Sequence, residues 1–461
     1  MHAITTVDMR RRELLRYVFY TGAAVSAAPL LTACGQSESL GGTAPGADGE
    51  PGGGTGGATP MGELTIPSGP LANIGDILAA NADDLLLPDG FTSRIVARAG
   101  APAVVGSGYT WHNFPDGGAT YLRDNGGWIY TSNSETLGVP LGGVGTLVFD
   151  PDGTLVDSYQ ILSGTTQNCA GGKTPWDTWV SCEETSDGLC WECDPYNPGQ
   201  GIAKPSLGLF AHEAIAVDQR HGIVYLTEDS GSGRFYRWVA DPADIDPATG
   251  RMAFEQGTLQ CMNVAGYEDG GYEADDAALR ELKAVSWVDA LNPDQPQGDN
   301  RGPGTVFQGG EGLWFYELPE SVRTTPTGGS APTRGLVFFT TKGDNRVWAF
   351  DVENQLVELI FDNSQIDPGF SDVDNLTVSP AGDILVAEDN PDTGVIRIMV
   401  VIPNQPAKVL VQLGDTHTGS EICGPAFSPD GSRLYFSSQR AAGAGGLGQT
   451  FEVTIPQALR A

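Results

Sequence analysis

Acidic side chains recur at one kind of place in this chain, directly after short apolar runs. Glu135 follows Ser132-Asn133-Ser134, Glu183-Glu184 follow Ser181-Cys182, Glu213 follows Ala211-His212, and Glu228-Asp229 follow Leu226-Thr227. Downstream, the same placement holds for Glu311 in Gly309-Gly310-Glu311-Gly312, for Asp374 before Asn375, for Glu388-Asp389 and for Glu421. Taken singly, each reads as a solvated loop carboxylate. Converging on one channel, they would repel one another strongly unless cations neutralised them, because a low-dielectric interior amplifies like-charge repulsion. Oxygen ligands alone suit calcium or magnesium, whereas an added thiolate favours a transition metal. The thiol that stands out is Cys169 in Thr166-Gln167-Asn168-Cys169-Ala170-Gly171-Gly172; pairing in a disulfide is its alternative use.

What must position these residues is a repeating phrase: an apolar strand, a turn carrying Pro or Asp before Gly, a second apolar strand, then an acidic or Ser-rich end. Val148-Phe149-Asp150-Pro151-Asp152-Gly153-Thr154-Leu155 is one instance, Val378-Ser379-Pro380-Ala381-Gly382-Asp383-Ile384 a second, and Phe427-Ser428-Pro429-Asp430-Gly431 a third. The last two lie 49 residues apart, close to one four-stranded propeller blade. With 63 Gly, 31 Pro and little helical periodicity, an all-β fold is expected. The pattern predicts a β-propeller of six blades near 105–165, 166–205, 206–265, 303–362, 370–415 and 420–461, with a strand near Phe91–Ala97 closing the ring. A small, partly helical insertion is expected at 266–302, with its helix around Ala274–Lys283. A pair of packed β-sheets is the alternative architecture. In a propeller, inner strand ends converge on a central channel.

The residues also resemble a known family, the PhoX-type alkaline phosphatases. The matching phrases are Asn168-Cys169-Ala170-Gly171-Gly172 with Thr174-Pro175-Trp176, Ser181-Cys182-Glu183-Glu184, His212-Glu213-Ala214, Val224-Tyr225-Leu226-Thr227-Glu228-Asp229, Asp374-Asn375-Leu376-Thr377-Val378-Ser379-Pro380, and Glu388-Asp389. They occur in order across most of 85–440. The resemblance implies an exported phosphomonoesterase, acting on small phosphate esters, whose channel holds iron and calcium with a Cys thiolate on iron. Carried over, Cys169 is the iron-ligating thiol, and Glu213 and Glu311 are the iron-ligating carboxylates. Glu135, Glu184, Glu228, Asp229, Asp374, Glu388 and Glu421 then take calcium or bridging roles. One departure stands out. Better-studied members carry Arg two residues before a metal-binding Glu, where it contacts the substrate phosphate, and Gly309 stands at that position here. Lys342 and Arg346 in Thr341-Lys342-Gly343-Asp344-Asn345-Arg346, or Lys173, could supply the missing cation; ordinary surface charge is the alternative for each. His112 reads either as a channel residue or as a structural histidine.

The N-terminus carries Arg10-Arg11-Arg12, then Leu14-Leu15 and a weakly apolar run ending Leu31-Thr32-Ala33-Cys34. That order looks like a twin-arginine export signal, and Leu-Thr-Ala-Cys resembles a lipobox whose Cys34 would be lipidated. The run is short for a bilayer span. Residues 1–33 are thus read as the signal, 34–84 as a Gly-rich tether and 85–461 as the propeller. The expected protein is periplasmic or at the cell surface, touches membrane only through the Cys34 lipid, and is a monomer. In an oxidising compartment a local Cys190–Cys193 disulfide is favoured over a zinc site.

The chain of 461 residues carries 25 Lys+Arg against 58 Asp+Glu, a net charge of −33. Such a balance excludes nucleic-acid binding, which draws its affinity from clustered Lys and Arg. Two further functions fit the sequence beside the phosphatase: a calcium-dependent, lactonase-like hydrolase, and a non-catalytic surface protein stabilised by metal.

Overall fold

A computed structural model of the protein describes residues 64–460, apart from 139–140, 273–275, 301, 363–369, 390, 392, 442 and 444. Pro60–Ala461 form one compact unit, and the other unit, Met1–Thr59, lies outside the described residues, as do the expected export signal and lipid site at Cys34.

Each blade is built on four antiparallel strands, and Leu85–Leu86 adds a fifth strand to the fifth blade. The first runs Pro115–Leu122, Trp128–Ser134, Gly142–Phe149 and Leu155–Thr165; the second runs Asn168–Lys173, Trp179–Glu183, Cys190–Cys193 and Ile202–Ala203. His212–Asp218, Ile223–Glu228, Phe235–Ala240 and Gly257–Val264 make the third, and Gly310–Glu317, Gly335–Thr341, Arg346–Asp351 and Leu356–Asp362 the fourth. The fifth comprises Val373–Val378, Ile384–Glu388, Arg397–Val401 and Lys408–Leu413. The last comprises Ile422–Phe427, Arg433–Ser438 and Gln449–Thr454, completed by Thr92–Arg98 from the start of the fold. First strands touch in cyclic order, the sixth meeting the first, so they form the wall of a closed channel. The propeller expected from the sequence is the architecture found.

Local chemistry explains the strands. Gly153, Gly382 and Gly431 adopt positive φ of 81°, 90° and 67° in the turns read from Asp-Gly and Ala-Gly. Each donates its N–H back to the residue that opens its turn: Asp150 at 2.9 Å, Ser379 at 2.9 Å and Ser428 at 2.8 Å. Strands such as Gly335–Thr341 and Val373–Val378 are buried along their whole length, because each blade packs on both faces. A separate apolar core accordingly lies between every pair of neighbouring blades. Tyr121 and Ile129 meet Trp179 between the first two, and Leu385 and Ile398 meet Leu434 and Phe451 between the last two.

Three expectations change. Residues 64–84 are not tether: Leu71 and Ile74 are buried in the core between the fifth and sixth blades, and Leu71 N–H donates to Asp383 Oδ1 at 2.9 Å. The helix expected at Ala274–Lys283 is one short turn, Ala277–Arg280, capped by the Asp276 carboxylate on the Ala278 N–H. Lys283–Asp289 is instead a strand joining the third and fourth blades, since Val285 and Trp287 alternate onto an apolar core. Finally, all six described cysteines are free thiols. Cys190 and Cys193 sit three apart on one strand and enter different cores, so strand alternation keeps them from pairing.

The channel wall tolerates no added bulk. A Cβ on Gly312 would lie 2.3 Å from the backbone nitrogen of Leu376 and 2.7 Å from the Asp374 carbonyl. Gly312→Ala should therefore destabilise the protein by about 1–3 kcal/mol, as overpacking of a closed interior does. Denaturant unfolding followed by circular dichroism checks it, and unchanged stability would mean that the blades spread freely.

Candidate metal centre

The second residue of every first strand points to one level of the channel. In order around the ring these are Asp116, Cys169, Glu213, Glu311, Asp374 and Cys423. In the first five of these strands the residue lies inside a register slip of the ladder, and in the last the slip directly follows Cys423, which still pairs with Ser437. Such a bulge re-aims a side chain that regular pleating would bury between sheets. A second tier comes from the residue just beyond each second strand: Glu135, Glu184, Asp229, Lys342, Asp389 and Gln439. Glu421 joins them from the position before the last first strand.

These residues interlock. Five groups of three place their ligand atoms within 4.8 Å of one another: Asp116, Glu135 and Cys169; Cys169, Glu184 and Glu213; Glu213, Glu311 and Asp374; Asp374, Asp389 and Glu421; Glu421, Cys423 and Asp116. Consecutive groups share one residue and the fifth returns to the first, so the ligands make an unbroken circuit. Every member is buried.

Hydrogen bonds from one blade fix the circuit residue of the next. Asn133 Nδ2 donates to the Cys169 carbonyl at 3.0 Å and the Ala170 carbonyl at 2.7 Å, and its own Oδ1 accepts from Trp179 Nε1 at 2.8 Å. Three blades on, Thr340 Oγ1 donates to the Asp374 carbonyl at 2.7 Å.

Internal cations occupy part of the circuit. Lys342 Nζ lies 3.0 Å from Glu311 Oε1, 3.0 Å from Asp374 Oδ2 and 3.1 Å from Asp389 Oδ2. Arg440 Nη2 lies 2.7 Å from Glu421 Oε2 and 3.4 Å from Asp389 Oδ1. Two positive charges cannot balance this many carboxylates. Burial first, then Glu311, Glu184 and Asp374, push Glu213 well above the usual carboxylate range, against the pull of Lys342. Burial with Glu135 and Asp374 pushes Asp116 up to about 7. Burial raises Glu421 although Arg440 opposes it, and burial beside Asp116 holds the Cys169 and Cys423 thiols high.

The donor set fits bound metal. Cys169 Sγ–H donates to Glu213 Oε1 at 3.0 Å, while Glu213 Oε2, fully buried, has no hydrogen-bond partner. A buried carboxylate oxygen without a partner is costly, and a cation in the adjacent group would satisfy it. Thiol and carboxylate together suit a transition metal, and the all-oxygen stretch from Glu213 to Asp389 suits a hard cation.

Of the residues expected from the sequence, Cys169, Glu135, Glu184, Glu213, Glu311, Asp374 and Glu421 are brought into the circuit. Glu228 and Glu388 are not, because each is the last residue of its strand and points to the opposite side. Glu228 Oε2 accepts from Arg234 N and Tyr236 Oη, both at 3.0 Å, and Glu388 is gripped by Arg397 at 2.8 and 2.7 Å. Asp229 occupies the second tier but, among the described residues, joins none of these groups. Arg346 is 1% exposed, with its guanidinium 3.0 Å from Asp344 and over the Tyr272 ring, so it is placed to brace that loop and not to meet substrate. His112 takes the structural role, bonded to Tyr109 Oη at 3.0 Å and Ser132 Oγ at 3.3 Å. Asp116, Cys423, Gln439 and Arg440 were not marked by the sequence, and in Glu388-Asp389 it is Asp389, not the expected Glu388, that enters the circuit.

Fold and circuit together define a β-propeller whose channel is built around buried carboxylate and thiol ligands. The family model described as alkaline phosphatase PhoX matches residues 143–191, 186–354 and 322–442, and the chain belongs to that family. No curated protein matches the sequence. Among solved structures, Pseudomonas fluorescens PhoX in complex with vanadate, a transition state analogue, is 16% identical, covers 84% of this chain and 98% of its own, and has a TM-score of 0.62. That likeness establishes the fold. A gluconolactonase from Xanthomonas campestris, XC5397, is 12% identical over 83% of this chain and 98% of its own, with a TM-score of 0.40, too low to carry an argument.

The raised carboxylates set the sign of a pH dependence. Asp116 holds its proton more tightly folded than unfolded, so its contribution to the metal-free protein is complete below 3.8 and is lost as pH rises through about 7. Chelator-treated protein should melt at a lower temperature at about pH 8 than at about pH 5, and any cation that binds the circuit should raise the midpoint more at the higher pH, because binding displaces protons. Scanning calorimetry decides it; a metal-free midpoint that climbs with pH contradicts the electrostatic reading.

Proposed function

We propose that the chain is an exported phosphomonoesterase that releases phosphate from small organic esters with iron and calcium held in the circuit. The observation that supports this reading most is the unbroken sharing of ligands between neighbouring groups, which suits a cluster of cations better than isolated ions. Cys169, Asp116, Glu135, Glu184 and Glu213 would hold iron, and Glu213, Glu311, Asp374, Asp389 and Glu421 would hold calcium; Glu311 thus leaves the iron role that the resemblance implied, because it shares no group with Cys169. Bound there, such ions supply Lewis acidity toward phosphate oxygens and offset charge developing in the transition state. Vanadate, which the Pseudomonas fluorescens structure contains, is an oxyanion of the same shape class as phosphate.

The chain's own residues have three tasks. First, Lys342 and Arg440 offer positive charge where a phosphate dianion would otherwise meet only acids. Lys342 does so beside the position of the absent arginine, for its N–H donates to the Gly309 carbonyl at 2.7 Å. Gly309 itself sits at φ 62°, a backbone conformation that suits glycine. Second, the Cys169 peptide is locked by Asn133, so its sulfur is preorganised for its ligand. Third, Gly118, Ala170, Gly171 and Leu313 line an apolar cavity continuing along the channel from the circuit, and polar substrate is better received from the side of Lys342 and Arg440. A hydrolase needing calcium alone gives the buried thiols no task. Export by the twin-arginine route with a lipid on Cys34, and action as a monomer, complete the proposal.

With iron and calcium loaded, the protein should hydrolyse p-nitrophenyl phosphate, and Cys169→Ala should lose about 100-fold in activity together with its iron. An iron-loaded wild type inert toward every monoester, or a Cys169→Ala variant of unchanged activity, overturns the proposal. Lys342→Gln should raise KM about tenfold, the loss of one charge-assisted contact, with a smaller change in kcat; an unchanged KM removes Lys342 from substrate binding.

A further inference from the structure

Cys423 stands in the last blade at the position Cys169 holds in the second: each is the second residue of its first strand and sits at a register slip, Cys169 within it and Cys423 at its edge. The equivalence extends to the neighbours. Around Cys169, one group joins the circuit residue of the first blade, Asp116, the residue past that blade's second strand, Glu135, and Cys169 itself. The set built by the same rule at the junction of the last blade with the first is Cys423, Gln439 and Asp116, with the thiol now in the place that Asp116 holds in the first set. Gln439 Nε2 lies 2.9 Å from Glu135 Oε2, 2.5 Å from Asp116 Oδ2 and 3.7 Å from Cys423 Sγ. Glu421 completes this junction, its carboxylate within 4.8 Å of the Cys423 and Asp116 ligand atoms.

A thiol beside acids is not in itself a site, and the independent indication comes from Gln439. Its side chain is fully buried and directed into the junction, yet its Oε1 has no hydrogen-bond partner. Rotating the amide by half a turn exchanges nitrogen for oxygen and places a neutral oxygen donor beside Asp116 and Cys423, whose ligand atoms the Glu421 carboxylate also approaches. The rotation is unfavourable while only carboxylates face it and favourable once a cation does. An amide oxygen, two carboxylates and a thiolate make a four-donor set for a divalent transition metal.

We propose that Cys423, Asp116, Glu421 and Gln439 form a second thiolate-containing transition-metal site, sharing Asp116 with the site of Cys169. The circuit then divides by chemistry. The stretch from Cys169 through Asp116 to Cys423 takes two thiophilic metals, one thiolate on each, and the stretch from Glu213 to Asp389 takes hard cations. This inference rests on the metal-binding reading above and extends it from one thiol to two. On binding, each thiol gives up its proton to solvent and the sulfur lone pair forms the metal bond, with no change in oxidation state.

Cobalt(II) titration of the chelator-treated full protein tests it through the thiolate-to-cobalt charge-transfer absorbance, which needs no enzymatic activity. Wild type should show a band that Cys423→Ser and Cys169→Ser each reduce to about half, and that the double variant loses. Cys423→Asp guards against misfolding: it should bind the wild-type amount of cobalt while showing about half the band. A full band in either Cys423 variant, or a Cys169→Ser variant with no band left, overturns the second site while leaving the proposed phosphatase untouched. No band in the wild type overturns both.

Discussion

The protein is organised around one electrostatic constraint: carboxylates from all sides of a closed channel are buried at the same depth. At an effective dielectric of about 20, two unit charges 4 Å apart repel by roughly 4 kcal/mol, and a circuit of them multiplies that cost. Lys342 and Arg440 relieve only the arc from Glu311 to Glu421. Asp116, Cys169, Glu213 and Glu421 are pushed toward their protonated forms, and a bound cation would displace those protons. The acidity of the whole chain therefore has two origins, ordinary surface charge and a buried set that is unfavourable without counter-cations.

The fold answers that constraint by repetition. Each first strand carries its circuit residue second, within or at the edge of a register slip, so a repeated backbone feature delivers different side chains to one level. Asn133 and Thr340 tie one blade to the ligand-bearing peptide of the next, so ligand placement and blade packing are the same set of interactions. Gly117 and Gly312 let first strands approach more closely than any side chain allows: a Cβ on Gly117 would lie 2.5 Å from the Ala170 Cα. The N-terminal strand Thr92–Arg98, by pairing with Gln449–Thr454, holds the last blade against the first, where Cys423 and Asp116 meet.

Much of this was legible in the sequence. Turns written as Asp-Gly and Ala-Gly, apolar runs and acidic ends gave the blades, and Cys169 with Glu213, Glu311 and Asp374 announced the site. What stayed hidden had physical reasons. Asp116 lies in Phe114-Pro115-Asp116-Gly117-Gly118, a phrase whose composition reads as a turn and which is in fact a bulged channel strand. Cys423 is masked by the flanking Ile422 and Gly424, which mark it as core. In Glu388-Asp389 the choice depends on where the strand ends, a one-residue matter that composition does not encode and that reverses which carboxylate faces the channel. Residues 64–84 looked like tether because their few apolar side chains, Leu71 and Ile74 among them, matter only in the groove between two blades.

The account stands or falls on cations in the circuit, and the most direct measurement is anomalous X-ray diffraction from crystals of the protein as purified, recorded across the iron edge and at longer wavelength for calcium. Iron-edge peaks are expected beside Cys169 and calcium peaks within the arc from Glu213 to Glu421. A map with no anomalous density in the channel, and with the carboxyl groups hydrogen-bonded in pairs through shared protons, would contradict it.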